Sequence, residues 1–188
     1  MITSRSSTGK FSGWLLCSDF DGTITTNGKN ITPENLEAVR YFTSEGGRFT
    51  MATGRFPDHF IPMEDFGINA PVIALGGSVI ADISDGVKII SERVIDPEII
   101  RKLVATFESI PGVERLIVHS NSDSVTFTPG DSDTGEKLAT ALSRPVCKFI
   151  VMEEPRIELP LREYMERNFP SLTLEMSWCA GLEGFSKG

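Results

Sequence analysis

Trp14-Leu15-Leu16-Cys17-Ser18-Asp19-Phe20-Asp21-Gly22-Thr23 runs from an apolar segment straight into a pair of acids. The apolar part has the content of a buried strand, and a strand's period of two sends Asp19 and Asp21 toward one side. Two carboxylates about 5 Å apart, at an effective dielectric of about 20, repel by roughly 3 kcal/mol. A bound cation or a shared proton would offset that cost. Gly22 lets the backbone turn sharply and approach a ligand, and Thr23 adds a hydroxyl and an amide. The alternative is an Asp-Gly turn closing a core strand.

Outward from this stretch, strands and helices alternate. After the loop Thr25 to Asn30, Thr32-Pro33-Glu34 reads as N-cap, N1 proline and first-turn acid of a helix carrying Leu36, Val39 and Phe42. Gly46-Gly47 stops it. Arg48 to Thr53 follows as a second strand, ending in Ala52-Thr53-Gly54-Arg55. A helical piece around Asp58 to Asp65 then leads into a third strand, Val72 to Leu75, closed by Gly76-Gly77. This alternation predicts βαβ units and a parallel sheet.

From Val79 the pattern changes. Val79 to Ile83 and Val87 to Ile90 read as a hairpin. Asp96-Pro97 starts a helix whose Ile99, Ile100, Leu103, Val104, Phe107 and Ile110 form an amphipathic core stripe. Strands are expected at Arg115 to His119, Ser124 to Thr128, Cys147 to Met152 and Leu172 to Trp178, with helices near Glu136 to Leu142 and Leu161 to Phe169. The expected fold is therefore α/β, a Rossmann-like parallel sheet core with an inserted α+β domain. Residues 1–12 read as a disordered tail, 13–78 as the core, 79–180 as the insert, and 181–188 as the start of a return to the core. The chain stops on Phe185-Ser186-Lys187-Gly188 with no closing element, so the core is expected to be incomplete at its C-terminus.

Composition excludes several classes. A chain of 188 residues with 40% hydrophobic content buries one sizeable core, or a core and a smaller lobe. Eighteen basic against 26 acidic residues give a net charge of −8, without a basic run, which argues against nucleic acid or a membrane as partner. Cys17, Cys147 and Cys179 are odd in number and widely spaced, suggesting neither a disulfide framework nor a zinc site. No apolar stretch approaches the roughly 20 residues of a membrane span. A cytoplasmic protein is expected.

In an open parallel sheet, ligands sit beyond the carboxyl ends of strands, so Asp19, Thr53 and Gly76 can converge. Their residue types suit phosphoryl transfer. Asp19 can attack phosphorus to form an aspartyl-phosphate, and Asp21 can move the proton. Mg2+, Thr53, the Gly54 amide and Lys187 can meet the charge on the transferring group. Arg55 reads equally as a contact to substrate phosphate or as a structural pair. His59 and His119 have no acid or second His at ligand spacing, and read as surface or packing residues.

Asp19-Phe20-Asp21-Gly22-Thr23, Ala52-Thr53-Gly54-Arg55 and Ser186-Lys187-Gly188 together resemble the first three signature motifs of the haloacid dehalogenase superfamily. The insert between the second and third motifs resembles the C2B cap of its Cof-type sugar-phosphate phosphatases. The resemblance implies Asp19 as nucleophile and Mg2+ ligand, and Asp21 as general acid/base and as a ligand through its main-chain carbonyl. It implies Thr53 on the phosphoryl oxygens and Lys187 steadying the charge, with Gly22, Thr23, Gly54, Arg55, Gly76 and Gly77 around the substrate.

Two departures stand out. The family's usual Asn-Gly after the third strand is here Leu75-Gly76-Gly77-Ser78, and the acidic fourth motif that completes the Mg2+ shell does not follow Lys187. The family strand order 3-2-1-4-5 then makes Trp14 to Asp19 an exposed edge, open to self-association. The expected function is Mg2+-dependent hydrolysis of a small phosphorylated metabolite, weak or absent in this chain. The alternatives are a phosphomutase or other phosphotransferase, and a catalytically silent binding protein.

Overall fold

The computed structural model describes residues 9–26, 30–110, 112–153, 158–177 and 181–187. The expected tail lies largely outside these residues, as do Trp178, Cys179 and Gly188. The chain forms two compact units divided between Ser91 and Glu92.

The first unit is built on a sheet in the order β1 (Leu15–Asp19), β2 (Arg48–Ala52), β3 (Val72–Ala74), β4 (Val79–Asp82), β5 (Lys88–Glu92). β1 and β2 are parallel, with Asp19 opposite Ala52, and β2 is parallel to β3, with Ala52 opposite Ile73. Helix α1 (Pro33–Ser44) makes the crossover from β1 to β2. Its start is the one the sequence announces: the Thr32 hydroxyl accepts from the Asn35 amide, and Pro33 occupies the first turn, where no N–H is needed. Val39 turns inward from α1 onto a core that includes Phe20, Phe49, Met51, Val72 and Leu75.

β1 is the outer strand of this sheet, as expected. Trp14, Leu15 and Leu16 are 66%, 60% and 46% exposed, an unusual state for residues whose apolar content belongs in a sheet centre. The insert's expected boundary at Val79 is corrected. β4 pairs antiparallel with β3 through Val72 opposite Ala81, so the hairpin extends the first sheet rather than opening the second unit.

The second unit contains α2 (Pro97–Thr106), β6 (Val113–Ser120), β7 (Ser124–Phe127), α3 (Thr134–Ala141), β8 (Val146–Glu153), α4 (Glu158–Asn168), β9 (Leu172–Ser177) and β10 (Gly181–Ser186). Its five-stranded sheet runs β7-β6-β8-β10-β9, with antiparallel pairing throughout. One core joins Leu116, Val118, Phe149, Val151 and Leu182 of the strands to Ile100, Leu103 and Phe107 of the α2 region and to Leu161 and Met165 of α4. In β8, Lys148 alternates with these core residues. It is buried and pairs with Glu183 of β10 at 2.9 Å.

Residues 181–186, expected to begin a return to the first sheet, instead form β10, inserted between β8 and β9. Two glycines hid this strand, because glycine is depleted from strands. Here they are required by close packing. A Cβ at Gly184 would lie 2.0 Å from the Phe149 ring, and one at Gly181 would lie 2.8 Å from Ile150.

Candidate active site

The parallel register sets the carboxyl ends of β1, β2 and β3 side by side, and the candidate residues of the first unit follow those ends. Asp19 is the last residue of β1 and is exposed. Its Oδ1 accepts from the Phe20 amide at 2.8 Å and its Oδ2 from the Thr23 hydroxyl at 3.2 Å. The turn after it is closed on Phe20, whose carbonyl accepts from both the amide and the hydroxyl of Thr25, at 3.2 and 2.9 Å. Gly22 takes φ 75°, the left-handed conformation this turn needs.

Because β1 ends at Asp19, the period of two does not carry through to Asp21. The two acids have separate partners. Asp21 is gripped side-on by Arg55: Nε donates to Oδ2 at 2.8 Å and Nη2 to Oδ1 at 2.6 Å. These bonds hold the Asp21 carboxyl below the usual carboxylate range, against an opposing but smaller effect of partial burial. Of the two roles open to Arg55 in the sequence, this structure shows the side-chain pair. A signal for it was absent from the sequence, because the partners stand 34 positions apart.

Thr53 is buried, and its hydroxyl accepts from the Arg55 amide at 3.2 Å, which leaves the hydroxyl proton to be donated. The loop that carries Thr53, Gly54 and Arg55 is pinned from β3. The Leu75 amide donates to the Arg55 carbonyl at 3.0 Å, and the Gly76 amide donates to the Thr53 carbonyl at 2.9 Å. Gly76 therefore supports the loop and does not aim its amide at a ligand. Leu75, standing where the resemblance places Asn, adopts φ 48°, a left-handed conformation that Asn tolerates far better. Gly77 follows at φ 93°.

Lys187 belongs to the second unit, where its amide donates to the Ser171 carbonyl and its ammonium to the Pro170 carbonyl. A cavity of about 650 Å3 in the first unit is lined by Arg48, Asn69 and Pro71, at the amino ends of β2 and β3, and touches none of the candidate residues.

One contributor was missed. His59, read as a surface or packing residue, lies in the 3-10 helix Pro57–Phe66 with its Nε2 3.0 Å from Arg55 Nη1. Its pKa is lowered, first by burial and then by the Arg55 charge. No helical periodicity announced it, because Arg55 precedes the 3-10 helix and only His59 lies within it.

Among the described residues no group of three or more His, Cys, Asp or Glu side chains could hold a metal ion. The donors on hand for Mg2+ are the exposed Asp19 carboxylate and the Asp21 carbonyl. They fit a cation that accepts one or two protein oxygens and keeps several waters.

The fold and the three adjacent strand ends define an α/β core whose parallel strands offer a ligand site beyond their carboxyl ends. The model of the haloacid dehalogenase-like hydrolases matches residues 16–179, and the chain belongs to that family. None of the curated protein sequences compared matches it. Solved structures share the fold at low identity. A phosphatase of the haloalkanoate (HAD) enzyme superfamily from Bacteroides thetaiotaomicron superposes with a TM-score of 0.75 at 14% identity, covering 100% of this chain and 70% of its own. A HAD subclass IIB sugar phosphatase gives 0.71 at 16% identity, covering 93% and 70%. A haloacid dehalogenase-like hydrolase from B. subtilis gives 0.66 at 20% identity, covering 92% and 73%. Among the described residues no helix is long and apolar enough to cross a membrane.

Proposed function

We propose that this chain carries the catalytic acids of a subclass IIB phosphatase acting on small phosphorylated metabolites, sugar phosphates among them. The observation that carries the reading is the Arg55–Asp21 pair, which ties the loop after β2 to the acid following β1, beside the exposed Asp19. The fold shared with a sugar phosphatase supports the substrate class.

In this reading an Asp19 carboxylate oxygen attacks phosphorus, and the bond from phosphorus to the ester oxygen breaks. Asp21 gives its proton to the departing oxygen. Water then attacks the aspartyl-phosphate, returns a proton to Asp21 and releases inorganic phosphate with Asp19 regenerated. The Thr53 hydroxyl proton is available to a phosphoryl oxygen. Mg2+, held by Asp19 and the Asp21 carbonyl, would neutralise charge on the phosphoryl group.

Arg55 holds Asp21 ionised, the form that accepts a proton from water. The protonated form needed by alkyl leaving groups is then a minority species at neutral pH. Aryl phosphates, whose leaving group needs little protonation, make the least demand on Asp21 and suit the assay.

The test is release of inorganic phosphate from an aryl phosphate by the 188-residue protein with Mg2+, repeated with Asp19→Asn. Activity abolished by that substitution is expected. Activity that survives it would reject Asp19 as nucleophile, and no phosphate release from either protein would favour a silent binding protein.

A further inference from the structure

His59 has a specific relation to the acid pair that packing alone does not require. A guanidinium bound side-on to a carboxylate through Nε and Nη2 is held along one edge and can still swing about that edge. Arg55 is met on the opposite edge as well, where Nη1 stands 3.0 Å from His59 Nε2. The Phe20 ring faces it, with the guanidinium carbon 5.1 Å from the ring centroid. His59 is in turn set by its surroundings. Its amide donates to the Phe56 carbonyl at 3.2 Å, and its ring stands edge-to-face with Phe20 and Phe60 at centroid distances of 5.5 and 5.3 Å.

Chemistry fixes the direction of the contact. A guanidinium has five donor hydrogens and no acceptor, so Nε2 must present its lone pair and the ring proton must sit on Nδ1. Burial and the neighbouring Arg55 both favour this neutral imidazole, while Asp21 and Asp58 act in the other direction to a smaller extent. An imidazolium in the same place would lose the acceptor and set two cations against each other.

We infer that His59 is a positioning residue: its neutral Nε2 anchors Arg55 from the far edge and so aims Nε and Nη2 at Asp21. The consequence for catalysis rests on the phosphatase reading above, but the clamp itself does not. Since His59 has its pKa below the ordinary 6.5, the clamp is complete at neutral pH and is released as pH falls through the lowered value.

The test is the Arg55 Nε–H resonance of the 188-residue protein, assigned by its loss in Arg55→Lys and followed from pH 7.5 to pH 5. The expected signal is sharp at pH 7.5 and broadens on acidification with the same midpoint as the His59 ring protons, below 6.5. His59→Phe keeps an aromatic ring between Phe20 and Phe60 but removes the acceptor, and its Arg55 signal should be broad at every pH. His59→Gln restores a carbonyl acceptor and should keep the signal sharp without the acid transition. A sharp Arg55 signal in His59→Phe, or an acid transition that persists in it, would overturn the proposal. Aryl phosphate turnover on the same samples separates the two readings. About tenfold lower kcat with KM within about twofold in His59→Phe, rescued in His59→Gln, is expected. Altered resonances in a protein whose turnover is independent of Asp19 would overturn the phosphatase reading while upholding the clamp.

Discussion

Arg55 reaches both carboxylate oxygens of Asp21, at 2.8 and 2.6 Å, and thereby joins two loops that are 34 residues apart in the chain. The pair lowers the Asp21 pKa, so its stabilisation is present above the unfolded carboxylate value of 3.8 and is lost as pH falls through the lower folded value. Both side chains are about one-third exposed, which limits the effect to ~0.5 kcal/mol. Arg55→Ala should remove this stabilisation at pH 7 and flatten the corresponding loss below pH 4. Urea unfolding at a series of pH values reads both. A variant with the wild-type acid dependence would show the pair to be thermodynamically silent.

His119 acts in the same direction over a higher pH range. Burial and the nearby Lys148 lower its pKa from 6.5 to about 4. Between those values the unfolded chain binds the proton and the folded chain does not, so stability should fall as pH drops from 6.5 to 4. A shift of that size corresponds to about 3 kcal/mol. His119→Phe should flatten this part of the stability curve, measured by chemical denaturation. An unchanged slope would assign the acid sensitivity elsewhere.

Gly184 faces Phe149 across the β8–β10 pair with no room for a methyl group. Gly184→Ala should cost roughly 2 kcal/mol, as overpacked cores do. Combining it with Phe149→Leu should cost less than the sum of the two single changes. Strict additivity would mean that the two positions do not press on each other.

The exposed apolar edge at Trp14, Leu15 and Leu16 should bring copies of this chain together. Sedimentation velocity should show concentration-dependent association for the 188-residue protein and a shift toward monomer for Leu16→Lys. A monomer at all concentrations would count against the proposal.

Much of this fold was legible locally. Thr32 and Pro33 announce the start of α1, and Asp96 caps α2 by accepting from the Glu98 amide, because capping chemistry lies within a few residues of the helix end. The apolar strand ahead of Asp19 was equally plain. What failed to show depended on distant partners. The glycines of β10 read as a loop until Phe149 and Ile150 are seen to occupy their side-chain space. The Asp19–Asp21 pairing read from a period of two stops at the end of β1, since Thr25 closes a turn on Phe20 instead. The roles of Arg55 and His59 follow from side chains meeting across loops, which no local pattern encodes.

The most direct measurement is mass spectrometry of the protein acid-quenched during turnover of an aryl phosphate with Mg2+. One phosphoryl group should appear on the peptide containing Asp19, and it should be absent in Asp19→Asn. Phosphoryl label at any other residue, or turnover without a phosphorylated protein at any quench time, would contradict the account.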